Sequence, residues 1–373
     1  MILPTIAVIG LLLAYANGAN DNFKGVATLL GSHTTSYRRA LIWATLTTAL
    51  GSAAAVGLAR GLLEAFRGKG LVPPEVVADP VFPAAVALAA GATVLLATRM
   101  GFPISTTHAL IGGLVGAGLF ASPGGVAGSK LVHGFMIPLL TSPLLAVGLA
   151  VALYPLLRFA RLRLGVSQET CVCIGREVVA VVPGTPGLQR AMETVELPTV
   201  TVGSDASCHV RYGGTLLGFR ARPMLDFVHF LSAGAVSFAR GLNDTPKIAA
   251  LLLVGGMVSP GFALVGVGLL IAVGGWLSAH RVAETLSRRV TEMNPGQGLT
   301  ANLVTALLVI GASRLGLPVS TTHVSCSSLF GIGVVTGQAR WRTIAHIMVA
   351  WVVTLPLAGI LGAVSVMALG AAF

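Results

Sequence analysis

Charged residues are scarce in this sequence. Only 10% of its 373 residues are Asp, Glu, Lys or Arg, whereas 54% are hydrophobic. An ordinary soluble domain carries about 25% charged residues, so the chain lacks the polar surface that a soluble protein of this length needs. Its mean hydropathy of +0.86 agrees. In lipid, helical apolar spans of about 20 residues are expected. The composition therefore predicts an all-α, multi-pass integral membrane protein, which we assign to the plasma (inner cell) membrane.

Motifs of common enzyme and metal-site classes are also missing. The sequence contains no zinc-protease His-Glu-x-x-His string, no Ser-x-x-Lys and no nucleotide-binding P-loop, which disfavours an integral membrane enzyme. Four cysteines occur, and Cys326 lies in an apolar stretch where a buried thiol is expected. The remaining potential zinc ligands are Cys171, Cys173, Cys208 and His209. Because Cys-x-Cys departs from the usual Cys-x2-Cys spacing, we predict no metal site and no cofactor.

The net charge of +11 does not indicate nucleic-acid binding. Lys and Arg lie mostly in short clusters between apolar runs, for example at residues 38–39, 158–163 and 288–289. Basic clusters at the ends of membrane spans are typical of cytoplasmic anchors. The positive charge is therefore explained chiefly by membrane orientation.

The hydrophobic pattern divides the chain into three parts. Apolar segments fill residues 1–157 and 223–373, which we predict to be two membrane repeats. Residues 158–222 differ, because the short β-branched runs 178–182 and 199–202 are typical of strands. We predict a small β-rich polar insert here, and the arginines at its start place it in the cytoplasm.

Three sequence landmarks occur twice, in the same order and at nearly constant spacing. A Gly-x-Asn-Asp string ends at Asp21 and again at Asp244. A Pro-x-Ser-Thr-Thr-His string ends at His108 and again at His323. A later His followed by Thr-x-Pro also recurs, with its proline at 143 and at 356. Duplicated polar strings inside apolar segments are typical of secondary transporters, whose site lies where the repeats meet.

Each Asn-Asp string is predicted to interrupt a helix inside the membrane. Gly18 and Gly241 could each end a helix in the left-handed conformation, and Asn22 and Thr245 could cap the next one. Broken backbone at that depth must line a cavity or be buried in protein. It offers free N–H groups to an anion and free C=O groups to a cation.

Ionisable side chains accompany these predicted interruptions. Asp21 and Asp244 lie within apolar segments, where ionisable groups usually have a function. Lys24 and Lys247 follow one helical turn later, so each Asp–Lys pair could simply neutralise itself across that turn. Pairing alone does not explain duplication of the whole string, and we therefore favour a role in ion or substrate binding.

The Ser-Thr-Thr strings supply hydroxyl groups at matching positions of the two halves. Pro103 and Pro318 suit the first turn of a helix, where backbone N–H groups lack partners. The hydroxyl residues are Ser105, Thr106, Thr107, Ser320, Thr321 and Thr322. A tetrahedral oxyanion needs many donors, and the positive end of a helix dipole adds to them. These side chains could instead bond to a neighbouring helix, but their clustering after proline in both halves favours an anion site.

His108 and His323 close these two strings. Either imidazole could take up a coupling proton, donate to the anion or relay a proton. Alternatively, each could be a neutral buried histidine bonded to a backbone carbonyl, which is the more ordinary situation for a single histidine.

The duplicated strings resemble those of the inorganic phosphate transporter (PiT) family over both membrane halves. The resemblance implies two inverted-topology repeats with broken helices, and re-entrant hairpins that carry the Ser-Thr-Thr strings. It also implies a symporter of inorganic phosphate, often homodimeric and driven by Na⁺ or H⁺. The implied binding site comprises Asn20, Asp21, Ser105, Thr106, Thr107, Asn243, Asp244, Ser320, Thr321 and Thr322.

Lys24 and Lys247 depart from the family pattern, because many members carry an Asn at this third position after Asp. An ammonium there would repel Na⁺. We therefore predict that both lysines replace the cation or bind the anion, and that H⁺ coupling proceeds through Asp21 or Asp244.

The predicted substrate is phosphate, with sulfate as the alternative. Phosphate keeps a proton near neutral pH that an ionised aspartate could accept, whereas sulfate prefers donors only. An anion channel is a further alternative, which saturable uphill uptake would exclude. A non-transporting anion sensor is another, and only a flux assay distinguishes it from a transporter. The expected partners are thus the anion and the lipid bilayer, and no nucleic acid.

Overall fold

The protein is mostly helical. Its structure, a computed structural model, describes residues 2–122, 124–167, 169–181, 193–204, 207, 216–253, 259–289 and 293–372. The helices of the first half are α1 (Ile2–Asp21), α2 (Ala27–Gly31), α3 (Tyr37–Leu58), α4 (Arg60–Ala65), α5 (Pro74–Ala78), α6 (Val81–Met100), α7 (Thr106–Ala121), α8 (Gly128–Leu131) and α9 (Ile137–Arg163). Those of the second half are α10 (Ala221–Leu252), α11 (Pro260–Ser278), α12 (His280–Glu284), α13 (Pro295–Arg314), α14 (Thr321–Thr336) and α15 (Trp341–Ala372).

Six of the described helices are long and apolar enough to cross a membrane. They are α3, α6, the continuous helical stretch 128–163 that ends with α9, α11, α13 and α15. A shorter apolar helix, α7, has 16 residues. These lengths and compositions are those of a multi-pass membrane protein, as the sequence predicts.

The chain forms two compact units, one of residues 1–154 with 229–373 and one of residues 155–228. The smaller unit contains strands β1 (Thr170–Val181), β2 (Glu193–Ser204) and β3 (Leu216–Arg220). They form an antiparallel sheet in the order β2–β1–β3. The two strand segments expected from sequence lie within β1 and β2, apart from residue 182, which is outside the described residues.

The predicted helix interruption occurs in the first half but not in the second. Helix α1 continues through Gly18 to Asp21, turns occupy residues 22–26, and α2 follows. Helix α10 instead runs unbroken through Gly241, so the prediction that both glycines end a helix is wrong. Pro246 inside α10 lacks the N–H for one helical hydrogen bond. Every residue from 239 to 251 is buried, and this packing holds the helix together across the proline.

Gly18 and Gly241 instead allow close contact between helices of different halves. A Cβ atom on Gly18 would lie 2.0 Å from the Ile271 carbonyl oxygen of α11. One on Gly241 would lie 2.2 Å from the Thr48 carbonyl oxygen of α3. Small residues let membrane helices approach this closely. Each half thereby packs its Asn-Asp helix against a helix of the other half.

Serine N-caps begin the two helices that carry the hydroxyl strings. Ser105 precedes α7, and its Oγ accepts a hydrogen bond of 3.0 Å from the His108 backbone N–H. Ser320 precedes α14, and its Oγ accepts one of 3.1 Å from the His323 backbone N–H. Each serine satisfies one of the free N–H groups of the first turn and so sets the start of its helix.

The segments before these caps turn at glycine. Gly101 has a φ of 75° and Gly316 a φ of 69°, in the left-handed region that favours glycine. Pro103 and Pro318 lie between the glycine and the serine cap, in non-helical backbone. The prediction that they occupy the first helical turn is therefore wrong, because the turn begins only after the serine cap.

Candidate functional site

The duplicated strings meet in one buried cluster inside the larger unit. It is built from the C-terminal end of α1, the turns 22–26, the middle of α10 and the starts of α7 and α14. Each predicted substrate-binding residue is less than 7% exposed: Asn20, Asp21, Lys24, Ser105, Thr106, Thr107, Asn243, Asp244, Lys247, Ser320, Thr321 and Thr322. Strings from opposite halves of the sequence thus form a single polar interior.

Oxygen atoms surround the Lys24 ammonium. It donates to Asn20 Oδ1 at 2.9 Å, to the Ile104 carbonyl oxygen at 2.6 Å and to Thr322 Oγ1 at 2.6 Å. It also forms an ion pair with Asp21. Carbonyl, hydroxyl and carboxylate oxygens are together the ligand types that bind alkali cations in transporter sites. Since Thr322 belongs to the second half, this lysine links the two halves.

Lys247 occupies the matching position of the second half. Its ammonium donates to the Val319 carbonyl oxygen and to Thr107 Oγ1, each at 2.8 Å. The Asp244 Oδ1 lies 3.6 Å away. Here Thr107 comes from the first half, so the two lysines form reciprocal links between the halves.

Asn17 joins the two carboxylates. Its Nδ2 lies 3.0 Å from Asp21 Oδ2, 3.4 Å from Asp244 Oδ2 and 3.1 Å from Thr106 Oγ1. The Thr106 hydroxyl also donates to Asp21 Oδ2 at 3.1 Å. The two aspartates are therefore close enough for a change in the charge of one to affect the other.

Arg240 adds a third cation to the cluster. Its guanidinium donates to Asn17 Oδ1 at 3.3 Å, to Asn22 Oδ1 at 3.0 Å and to Thr48 Oγ1 at 3.1 Å. The side chain is 1% exposed. Among the described residues of this cluster, three cations face two carboxylates, so it carries an excess positive charge when both aspartates are ionised. That excess favours an anion.

Asn20 and Asn243 anchor the cluster to neighbouring helices in matching ways. Asn20 Nδ2 donates to Thr98 Oγ1 at 2.9 Å on α6. On α13, the Ser313 hydroxyl donates to Asn243 Oδ1 at 3.2 Å. Thr98 and Ser313 occupy equivalent positions, because each lies five residues before the proline of its half's Pro-x-Ser-Thr-Thr-His string. Both amides thus hold the Asn-Asp strings against the helix that precedes a hydroxyl string.

His108 and His323 lie against each other. Their ring centroids are 4.3 Å apart, and the His323 ring stacks on Trp351 at 3.8 Å. His108 Nδ1 is 3.1 Å from the Ser105 hydroxyl. Trp351 Nε1 donates to the Pro103 carbonyl oxygen at 3.2 Å. The two histidines therefore lie beside the capped starts of α7 and α14.

Sequence reasoning missed two central members of the cluster, Asn17 and Arg240. A usable signal existed for Arg240, because an arginine inside an apolar membrane segment indicates function. For Asn17 the signal was weaker, since its counterpart in the second half is Arg240 itself and the motif is not preserved. The two side chains meet directly, because the Arg240 guanidinium donates to Asn17 Oδ1.

Metal ligands are not grouped in the described part of the chain, where no set of three or more His, Cys, Asp or Glu side chains is placed to hold a metal ion. Of the cysteines considered for zinc, Cys171 is a free thiol in β1. Cys208 and His209 lie outside the described residues. The prediction about that metal site therefore stays a prediction.

Comparison with known proteins gives a consistent result. The sequence model of the phosphate transporter family matches residues 17–362. A candidate phosphate permease of Pyrococcus horikoshii is 27% identical over 96% of this chain and 95% of its own length. A candidate low-affinity inorganic phosphate transporter of Mycobacterium tuberculosis is 28% identical over 97% of this chain and 76% of its own length.

The fold is also shared with a protein of known structure. A solved structure of a sodium-dependent phosphate transporter is 20% identical, with a TM-score of 0.75 and complete coverage of both chains. The family match includes both Asn-Asp strings and both Ser-Thr-Thr strings, which the structure brings together in one buried cluster. This chain belongs to the phosphate transporter family.

Proposed function

We propose that this protein is a secondary active transporter that carries inorganic phosphate together with protons across the plasma membrane. The observation that carries the proposal is the buried cluster in which the duplicated strings of both halves meet. Hydroxyl groups, capped helix starts and three cationic side chains supply donors and positive charge in one place. Such a set suits a tetrahedral oxyanion.

Phosphate fits this cluster better than sulfate because of the two aspartates. Near neutral pH phosphate still carries a proton, which the Asp21 or Asp244 carboxylate could accept in a hydrogen bond. Sulfate carries none, and its oxygens would face the negative carboxylates directly. The three cations favour both anions alike, so the aspartates make the difference.

The arrangement of the two halves supports alternating access by inverted repeats. The Gly18–Ile271 contact and the Gly241–Thr48 contact connect equivalent positions, because Gly18 is offset from Gly241 by as much as Thr48 is from Ile271. The two lysine shells are equivalent in the same way. A site shared between two equivalent halves can be opened to either membrane face when one half moves against the other.

Proton coupling is favoured over sodium coupling by the surroundings of the two lysines. Each ammonium occupies a shell of carbonyl, hydroxyl and carboxylate oxygens that a transported Na⁺ would otherwise need. A fixed cation in that place repels a second one. The aspartates beside the lysines are then the groups on which a coupling proton is carried, with His108 and His323 as the nearby alternatives.

Uptake of labelled phosphate into proteoliposomes tests the function and its coupling. With an acidic exterior and no sodium, we expect saturable accumulation above equilibrium, which a protonophore abolishes. Empty liposomes are the control, and excess sulfate should leave most of the uptake intact. A strict requirement for Na⁺ would overturn the coupling, equal competition by sulfate would overturn the substrate, and non-saturable downhill flux would indicate a channel.

The remaining features proposed from the sequence have separate tests. We expect a homodimer, which light scattering in detergent measures directly. Residues 158–222 are expected in the cytoplasm, so protease added to sealed right-side-out vesicles should not cleave there. Cleavage by the external protease would show that this segment lies outside the cell and that the proposed orientation is wrong.

A further inference from the structure

Helix α10 carries a row of polar side chains that leads away from the central cluster. Toward the N-terminus of the helix from Asp244, these are Arg240, Ser237, Ser232 and His229, which we call the α10 polar row. At about 100° per residue, the row falls within about 140° of the helix circumference. All four side chains are buried. The polar face of the central cluster therefore continues for about three turns.

The matching face of α1 is apolar. With Asn17 taken as the counterpart of Arg240, the positions equivalent to His229, Ser232 and Ser237 are Ile6, Ile9 and Ala14. These three apolar residues are buried in the hydrophobic core. Both halves therefore contribute to the central cluster, but only α10 continues it with polar side chains. The polar row consequently leads from the cluster toward one membrane face only.

Most of the unpartnered buried polar atoms in the described part of the chain belong to this row. Among the described residues, five buried side-chain nitrogen or oxygen atoms lack a hydrogen bond. Three of the five belong to this row: Arg240 Nε, Ser237 Oγ and His229 Nε2. Unpaired polar groups in the membrane interior are costly, so their concentration along one line indicates a ligand that they meet in another conformation.

The backbone of other segments covers the row. A Cβ atom on Gly25, in the turns between α1 and α2, would lie 2.1 Å from Ser237 Oγ. A Cβ atom on Gly298 of α13 would lie 2.5 Å from His229 Nε2. Glycine backbone therefore lies directly on these two polar atoms of the row.

Hydrogen bonds between side chains hold this cover in place. Asn302 of α13 donates to Ser232 Oγ at 3.1 Å, and Thr28 of α2 donates to Asn302 Oδ1 at 3.1 Å. The cover is therefore made of polar contacts that water or an anion could replace. Ile6 and Ile9 of α1 have apolar side chains, which form no hydrogen bonds that water or an anion could replace.

We propose that the α10 polar row is the route by which phosphate passes between the central cluster and the membrane face at the N-terminal end of α10. In the conformation of this structure, residues 22–31 block that route. This inference rests on the proposed function. Arg240 Nε and the Ser237 hydroxyl are donors that would each take over some of the anion's hydrogen bonds along the way. His229 Nε2 is a third donor in the tautomer whose Nδ1 accepts from Thr34 Oγ1, 3.3 Å away. At about 1.5 Å rise per residue, Arg240 and Ser237 are only about 4.5 Å apart along the axis, so the anion can contact both.

Substituting the α1 residues into the row tests the route. The triple variant His229→Ile, Ser232→Ile, Ser237→Ala is compared with the single Ser237→Ala and with Ser142→Ala. Ser142 is a matched control, because it is another buried serine without a partner but lies on α9. For the triple variant we expect phosphate binding in detergent, measured by calorimetry, to stay within about twofold. Its initial uptake rate should fall about tenfold or more.

Two outcomes of this comparison would overturn the route. Uptake by the triple variant equal to that of the control would mean that phosphate does not pass along the row. Loss of phosphate binding would mean that the row contributes to binding in the central cluster instead. If neither the unchanged protein nor Ser142→Ala accumulates phosphate, the proposed transport function itself fails.

Thiol labelling tests the route without any transport. In a chain whose four cysteines are replaced by serine, the Ser237→Cys variant should react in detergent with a small anionic thiol reagent, and inorganic phosphate should slow the reaction. The Ala14→Cys variant, with its thiol at the counterpart position on α1, should react much more slowly. Equal labelling at the two positions, or no effect of phosphate, would contradict the route even if transport is intact.

Discussion

Replacing Lys24 by serine tests whether its ammonium takes the place of a bound cation. The change removes the positive charge and leaves the oxygen atoms of Asn20, Ile104 and Thr322 around open space, beside the Asp21 carboxylate. Lys24→Met is the matched control, because it removes the same charge but fills most of the space. Only the serine variant then has room for a metal ion.

The expected magnitude follows from the burial of Asp21. This carboxylate is 1% exposed, and removing one partner of a buried ion pair costs ~3–5 kcal/mol. Asp21 keeps its contacts with Asn17 Nδ2 at 3.0 Å and Thr106 Oγ1 at 3.1 Å, so we expect the lower end, about 3 kcal/mol. Na⁺ at a hundred times its Kd for the opened site returns about 2.7 kcal/mol, which is nearly the whole loss.

Thermal unfolding in detergent, with sodium chloride or choline chloride, measures this effect. In choline chloride, both variants should unfold at a lower temperature than the unchanged protein. Sodium chloride should raise the unfolding temperature of the serine variant back toward that of the unchanged protein. It should not change the unfolding temperature of the methionine variant or of the unchanged protein. In proteoliposomes, phosphate uptake by Lys24→Ser should become stimulated by Na⁺. An equal response of both variants, or stabilisation of the unchanged protein by Na⁺, would refute the reasoning.

Three further substitutions have distinct expected outcomes. Asp244→Asn should abolish phosphate uptake without lowering the amount of protein in the membrane, because an amide can neither carry the coupling proton nor replace the carboxylate proposed to accept the phosphate proton; full uptake would exclude this aspartate from the mechanism. Ser105→Ala removes the N-cap of α7 and should cost about 1 kcal/mol of stability, seen as a lower unfolding temperature; an unchanged temperature would contradict the cap. Gly241→Ala places a Cβ 2.2 Å from the Thr48 carbonyl oxygen and should cost ~1–3 kcal/mol. The matched control Gly57→Ala, with nothing within 4 Å, should cost less, and equal costs would contradict the close helix contact.

Local patterns in the sequence selected residues that the structure brings together in one buried cluster, although they did not predict the backbone around them. The Asn-Asp and Ser-Thr-Thr strings repeat at nearly constant spacing, and the structure buries all of them together. The expected helix end at Gly241 was wrong, because a glycine followed by a proline five residues later fits both a helix break and a tightly packed helix. The tightly packed helix forms here because α10 lies against the Thr48 carbonyl of α3. A local sequence pattern around Gly241 cannot predict that contact, because Thr48 is far away along the chain.

The sequence by itself determined that the chain is an integral membrane protein with duplicated polar strings, because composition and periodicity are local properties. Only the tertiary structure decided that Lys24 contacts Thr322 and Lys247 contacts Thr107, and that Arg240 meets Asn17. These contacts join residues that are far apart along the chain. They depend on how the two halves pack against each other, and such packing is set by the shapes of whole helices rather than by any one string.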